Sequence, residues 1–367
     1  MSEITYSIGY NFDRNLANEL DRINRSRGRI GDVREVFGAT ADSPYPSARP
    51  STRLPEAGSS DLAWHVAALA DVGIAFNYLL NAPVTSVDYD VVARYCGQLQ
   101  AIGIRRLTAG TPEICIAIKR AIPEMHVTMS LTYGVRSPAM LERAVNAGAD
   151  AVYLDAVYVN RNFSLLRDLI ARSRAEVRLY ANVSCVSRCP VVRQHYAIFV
   201  GQNEHTAERN DWFFAGCTAL KLALPVEWMQ MPWIRPEDIN IYVREGIRHF
   251  KLADRLAGTS VLGRIARAYV TGRSPEDLFP IIERDGAKYQ AYGFPPTKPP
   301  MRVWSKRIPE AFIEHFRANM CTSSDPDCPQ CLAAAASSVE CNSEARTLAP
   351  WGPAPLLRRI DRRGSGR

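Results

Sequence analysis

The residues best suited to chemistry are the cysteines, nine in a chain of 367 residues and unevenly placed. Cys96 and Cys115 stand alone within apolar, helix-periodic segments and read as small buried hydrophobes. Cys185 and Cys189 form a Cys-x3-Cys pair followed at once by Pro190, with Cys217 further along. Cys321, Cys328, Cys331 and Cys341 make a second group, with Asp-Cys-Pro-Gln-Cys at its centre. Spacings of two to six residues bring thiolates within reach of one metal centre while the chain turns around it. Soft thiolates select zinc, copper(I) or iron–sulfur centres over hard ions. The alternatives are structural thiols at Cys185 and Cys189, and a structural zinc knot through the four tail cysteines. A disulfide framework is not expected, because the first ten residues lack the basic start and apolar stretch of an export signal.

Hydrolytic motifs are scarce. Gly-x-Ser-x-Gly and His-Glu-x-x-His are both absent from the sequence. Of six histidines, only His195 and His205 fall near the first cysteine group. A Cys185/His195 dyad remains open, since such partners meet in space. A thiol pair plus Cys217 suits a metal better than a single nucleophile does.

These residues need a scaffold. The first 255 residues alternate short β-rich runs with longer helical patterns, the sequence form of a parallel α/β fold. Strands are expected at 4–8, 30–37, 74–79, 106–108, 127–131, 151–154, 177–180 and 250–252, with helices at 60–71, 89–102, 112–121, 138–147 and 163–173. Eight such strands favour a (β/α)8 TIM-like barrel, regular or irregular, with a C-terminal cysteine-rich extension. In a barrel, chemistry gathers where strands end. Glu35, Asn77, Asn81, Thr108, Thr132, Asp155, Asn182 and Lys251 fall at such ends, and the strand ending near Tyr180 leads directly into Cys185. Three regions are expected: a barrel over 1–273, a helical and cysteine-rich extension over 274–346, and a basic, disordered tail over 347–367. The Pro- and Arg-rich stretch 42–60 should hold no packed element, serving as a loop over the pocket or as a solvated linker.

Composition sets outer limits. The 47% hydrophobic and 23% charged fractions are those of an ordinary globular protein. No apolar run approaches the roughly 20 residues of a membrane-spanning helix, so a soluble, cytoplasmic protein is expected. The net charge of +7 is concentrated at the end, where Arg358 to Arg367 carry five arginines and one aspartate. That tail admits an RNA partner, but the body shows no interleaving of basic and aromatic residues.

The run Asn182-Val-Ser-Cys185-Val-Ser-Arg-Cys189-Pro-Val-Val-Arg193-Gln-His195, with Cys217, Trp233-Ile-Arg-Pro-Glu-Asp-Ile and Gly246-Ile-Arg-His-Phe-Lys251-Leu-Ala-Asp-Arg255, resembles the U32 peptidase-like (collagenase-like) family. The likeness spans residues 4–331, with sharp motifs only between 182 and 255. It implies a barrel. It also implies an iron–sulfur enzyme, because the better-understood branches are oxygen-independent hydroxylases of ubiquinone precursors or RNA bases. Those carry a 4Fe–4S cluster on four cysteines and can take the hydroxyl from prephenate. Cys185, Cys189 and Cys217 match the family's cysteine positions. The fourth does not carry over: some relatives have a cysteine near the end of the second strand, where this chain has Ala39-Thr-Ala-Asp-Ser. Cys321, Cys328 or Cys331 would then complete the cluster, or the tail holds a second cluster or zinc with Cys341.

The expected function is therefore oxygen-independent hydroxylation, or a related oxidation, of a small organic substrate. Arg193 and His195 would bind an anionic donor or move a proton. Lys251 and Arg255 would clamp a carboxylate, Asp155 would act as acid, base or helix cap, and Glu35 and Asn182 would line the pocket. RNA-base hydroxylation, peptidase activity and a non-catalytic, cluster-bearing subunit paired with a homologous partner are the other readings.

Overall fold

The computed structural model describes residues 4–283 apart from 46, 50–53, 57, 85, 202–211 and 254, and then residues 289, 294, 299–318, 321 and 327–342. Eight parallel strands close into a barrel in chain order. They are β1 (Ile4–Gly9), β2 (Gly31–Gly38), β3 (Ala75–Leu80), β4 (Arg106–Ala109), β5 (His126–Met129), β6 (Ala151–Tyr153), β7 (Glu176–Tyr180) and β8 (His249–Leu252). Closure is made by β8 pairing with β1, Lys251 opposite Ser7. Each expected strand is present within two residues of its expected ends.

The local chemistry explains the boundaries. Thr111 and Ser137 cap the helices Pro112–Ala121 and Pro138–Asn146, accepting from the backbone N–H three residues on, with proline in the first turn where its missing N–H costs nothing. The helix-to-strand turns at Gly148 and Gly246 take φ of 96° and 110°, a region that side chains with a Cβ avoid. Each strand then enters as a nearly continuous buried run, as expected of a sheet covered on both faces.

The Pro- and Arg-rich stretch 42–60, expected as a loop over the pocket or a solvated linker, is partly buried. Among its described residues none before Ser59 is in a helix or strand, but Tyr45, Ser47 and Ala48 are buried. The tyrosine hydroxyl reaches the Asp88 carbonyl at 3.1 Å, and Ala48 N donates to Asn81 Oδ1 at 3.0 Å. The stretch is a strap across the barrel mouth. Its Pro-rich composition reads as solvated because its own backbone makes few local bonds; tertiary contacts supply the burial.

Beyond the barrel, β9 (Met301–Val303) and β10 (Val339–Cys341) pair antiparallel. The extension's helices cover Phe312–Arg317 and Pro329–Ser338. Phe312, Ile313, Phe316 and Cys331 join the same apolar core as the barrel strands. The basic tail from 347 lies outside the described residues, as does His205. No helix among the described residues is long and apolar enough to cross a membrane.

Candidate functional site

Inside the barrel, Glu35 is the centre of a closed polar network. Its carboxylate accepts from Asn77 Nδ2 at 3.0 Å and pairs with Arg178 at 3.4 Å and Arg106 at 3.6 Å. Thr108 donates to Asn77 at 2.8 Å. Below, Ser7, Tyr153 and His249 form a chain, with Tyr153 Oη 2.8 Å from Ser7 Oγ and 3.3 Å from His249 Nε2. Burial holds His249 well below the ordinary histidine range, helped by the nearby Arg178 and Arg106. Glu35 therefore fixes the barrel interior rather than offering a free carboxylate to a ligand.

Lys251, one pleat above His249, points into the same interior. Its Nζ lies 3.8 Å from the centre of the Phe37 ring and 5.1 Å from that of Tyr153. Among the described residues it has no hydrogen bond or ion pair, and the residue is 6% exposed. Burial pulls its pKa down to about 7, with repulsion from Arg255, Arg49 and Arg178 added and the Glu35 carboxylate opposing. Arg255, buried after the end of β8, donates to Ser47 Oγ of the strap at 2.9 Å. Lys251, Arg255 and Arg49 thus form a cationic mouth roofed by the strap.

The first cysteine group sits beside it. Cys185, Cys189 and Cys217 all pack on one small cluster with Val157, Val186 and Val192. Cys189 stands just before the helix Val192–Gly201, and the backbone N–H groups of Val191 and Val192 point at its sulfur; burial nevertheless raises its pKa. The turn preceding it is tight, with Arg188 at φ 45°. Beneath lies a buried pair that sequence reasoning missed: Lys221 Nζ donates to Glu283 at 2.6 Å and to the Ser184 carbonyl at 3.1 Å. Tyr289 donates to the same Glu283 oxygen at 3.2 Å. Lys221 also feels Cys217 and Cys185, both of which favour its charge. Its sequence signal is a lone cation inside the apolar run Ala219-Leu-Lys-Leu-Ala. Tyr196 links the two halves, standing among Cys185, Tyr180, Asp155 and Arg49.

Several expected site residues serve the scaffold instead. Asn182 donates to the carbonyls of Ala253 and Ile281 at 2.9 and 3.0 Å and accepts from Ala253 N at 2.9 Å. Asp155 caps the short helix Ala156–Val159 through Val157 N, and burial raises its pKa. Arg193 donates to the carbonyls of Tyr133 and Gly134, both at 2.8 Å. It pins its helix to the loop after β5. His195 is half-buried, its ring centre 6.1 Å from that of Phe213.

The tail cysteines gather elsewhere. Cys328 stands just before the helix Pro329–Ser338 without a side-chain capping bond, and Cys331 is hydrogen-bonded to Cys328. Burial pushes the Cys331 thiol up to about 12, and Cys321 is a further neighbour. Arg161, which donates to the carbonyls of Met229 and Trp233, stands beside Cys331 and Cys321. Cys341 pairs with Met301 across the ribbon. Tested against a thiolate-held metal, the 185–217 group fits by donor chemistry and by its buried cation. Among the described residues, however, no three Cys, His, Asp or Glu side chains converge closely enough to hold a metal ion.

No family model matches the chain. An archaeal protein named "Uncharacterized protease MJ1657", from Methanocaldococcus jannaschii, is 21% identical over 277 residues, which is 73% of this chain and 81% of that protein. A solved structure described as the U32 peptidase Mk0906 is 15% identical, with a TM-score of 0.48, and covers 69% of this chain and 93% of its own. The chain is thus similar, over most of its length, to a protein named as a protease.

Proposed function

We propose that this protein is an enzyme that modifies a small anionic organic molecule at the barrel mouth, with an iron–sulfur cluster on Cys185, Cys189 and Cys217 and oxygen-independent hydroxylation as its chemistry. The observation that carries the reading is the gathering of the Cys185/Cys189 pair and the more distant Cys217 on one patch beside the cationic mouth. When bound, a cluster supplies one-electron transfer and, at an iron lacking a thiolate, a Lewis-acid position. The chain's own residues do the rest. Lys221 offsets the negative charge of the thiolates, and the amides of Val191 and Val192 favour the ionised sulfur of Cys189. Arg255 and Arg49 attract a carboxylate, and the strap excludes water from the mouth.

Anaerobic purification followed by iron, sulfide and zinc analysis tests this. About four irons and matching sulfide per chain support one 4Fe–4S cluster, and Cys185→Ala should bleach the brown colour. Zinc alone would refute the redox reading. Peptide hydrolysis is the second reading, favoured by the name of the archaeal relative. Cleavage of casein by metal-free protein, abolished in Cys185→Ala, would establish it instead.

A further inference from the structure

We propose that Lys251 is an imine-forming lysine, whose amine condenses with the carbonyl of a small 2-oxo acid held by Arg255 and Arg49. The inference goes beyond the cluster reading and needs no metal. Four features of the site carry it. The amine emerges from the last barrel strand and points inward, at the end of the barrel where reacting groups gather. It is buried, yet among the described residues it has no carboxylate or carbonyl partner, only the faces of Phe37 and Tyr153. Two polar groups of the same interior are already engaged, Glu35 with Asn77 and Arg178, and Tyr153 with Ser7 and His249. Of the neighbouring charges, three are guanidinium groups, which disfavour an ammonium and attract an anion, against the single Glu35 carboxylate already held by Arg178.

A lysine with a pKa of about 7 carries about a thousandfold more free base at neutral pH than an ordinary lysine near 10.4. The step balances without a redox partner. The nitrogen lone pair attacks the carbonyl carbon, a C–N bond forms, and the carbonyl electron pair moves onto oxygen. The two amine protons leave with that oxygen as one water, giving C=N; uptake of one solvent proton gives the iminium. The carboxylate of the 2-oxo acid faces Arg255 and Arg49, which fixes the carbonyl toward Nζ. Admission requires the strap to lift, breaking the bonds of Ser47 to Arg255 and of Ala48 to Asn81.

The test uses the full chain without metal, incubated near neutral pH with pyruvate and cyanoborohydride, which reduces an imine to a stable secondary amine. The chain has six lysines, so a peptide map assigns the product without ambiguity. The expected result is one carboxyethyl group on Lys251, formed at least about tenfold faster than on exposed Lys306. Arg255→Gln should lower labelling by pyruvate about tenfold more than labelling by uncharged acetone, which falls only as far as the free amine does when that repulsion is removed. No addition at Lys251, or addition there no faster than at Lys306, overturns the proposal. An equal fall with both reagents overturns the carboxylate assignment. Lys251→Arg should abolish the label, and should that variant not fold, the map on the natural chain decides alone. Iron content plays no part in these readouts, so this proposal and the cluster reading fail separately.

Discussion

A single amine sets the pH behaviour of the barrel interior. In the unfolded chain Lys251 holds its proton to about pH 10.4, but in the folded chain only to about pH 7. Between those values the unfolded state carries more protons, so this residue makes the fold more stable as pH rises. Below about pH 7 both states are charged, and the full cost of burying the ammonium is present. Lys251→Met removes the dependence. In denaturant titrations the natural chain should gain on Lys251→Met by up to about 1.4 kcal/mol per pH unit between about pH 8 and about pH 10. Parallel curves would show that the amine stays charged in the fold. The same scale shows what could not be read from sequence. Asn182, Asp155 and Arg193 stand where ligand-binding side chains stand, and their types suit ligands. Their partners are backbone atoms, for Asn182 and Arg193 as much as 99 and 60 residues away. A strand-end position cannot distinguish a ligand contact from a brace of that kind.

At the scale of elements, the eight strands were legible because each is a short apolar run; glycine turns at Gly73, Gly103, Gly148 and Gly246 lead into four of them, and the capping residues Asp88, Thr111, Ser137 and Asp155 follow four. The ion pair under the cysteine loop was not, and the Pro-rich stretch was legible only as a loop, over the pocket or solvated. Lys221 and Glu283 are 62 residues apart and lie 2.6 Å from one another with side chains 1% and 3% exposed. Breaking such a pair strands a buried charge, which typically costs about 3–5 kcal/mol, whereas replacing both members with apolar groups can be neutral. Lys221→Met should therefore destabilise the chain by about that amount, and Lys221→Met combined with Glu283→Leu should recover most of it. Recovery would assign the pair to specificity and to the thiols' electrostatics. A double variant as unstable as the single one would mean that the bonds to Ser184 and Tyr289 carry the effect. Asn182 is the matching brace between the β7 loop, the end of β8 and residue 281. Asn182→Ala leaves Ala253 N and two carbonyls without their partner, and should cost about 1–3 kcal/mol.

Across the whole molecule the nine thiols divide by surroundings, and that division separates the two possible homes of a metal. Cys96 and Cys115 are wholly buried, and burial pushes each up to about 12, so neither is a thiolate near neutral pH. Cys331 is held in the same way beside Arg161. Cys185, Cys217, Cys321, Cys328 and Cys341 are partly exposed, and these should react first with iodoacetamide in the metal-free chain. Reconstitution with ferrous iron and sulfide then reports where the cluster forms. Binding at the first group should protect Cys185, Cys189 and Cys217 together, leaving Cys328 and Cys341 as reactive as before. Protection of Cys321, Cys328 and Cys331 instead would move the metal to the outer helices, where it would fasten the extension to the barrel wall far from Lys251. Cys185, Cys189 and Cys217 share one patch, so a single centre there would draw on all three. Protection should accordingly be cooperative: Cys185→Ala should expose Cys189 and Cys217 in the same step, whereas independent protection of each thiol would mean that no shared centre forms.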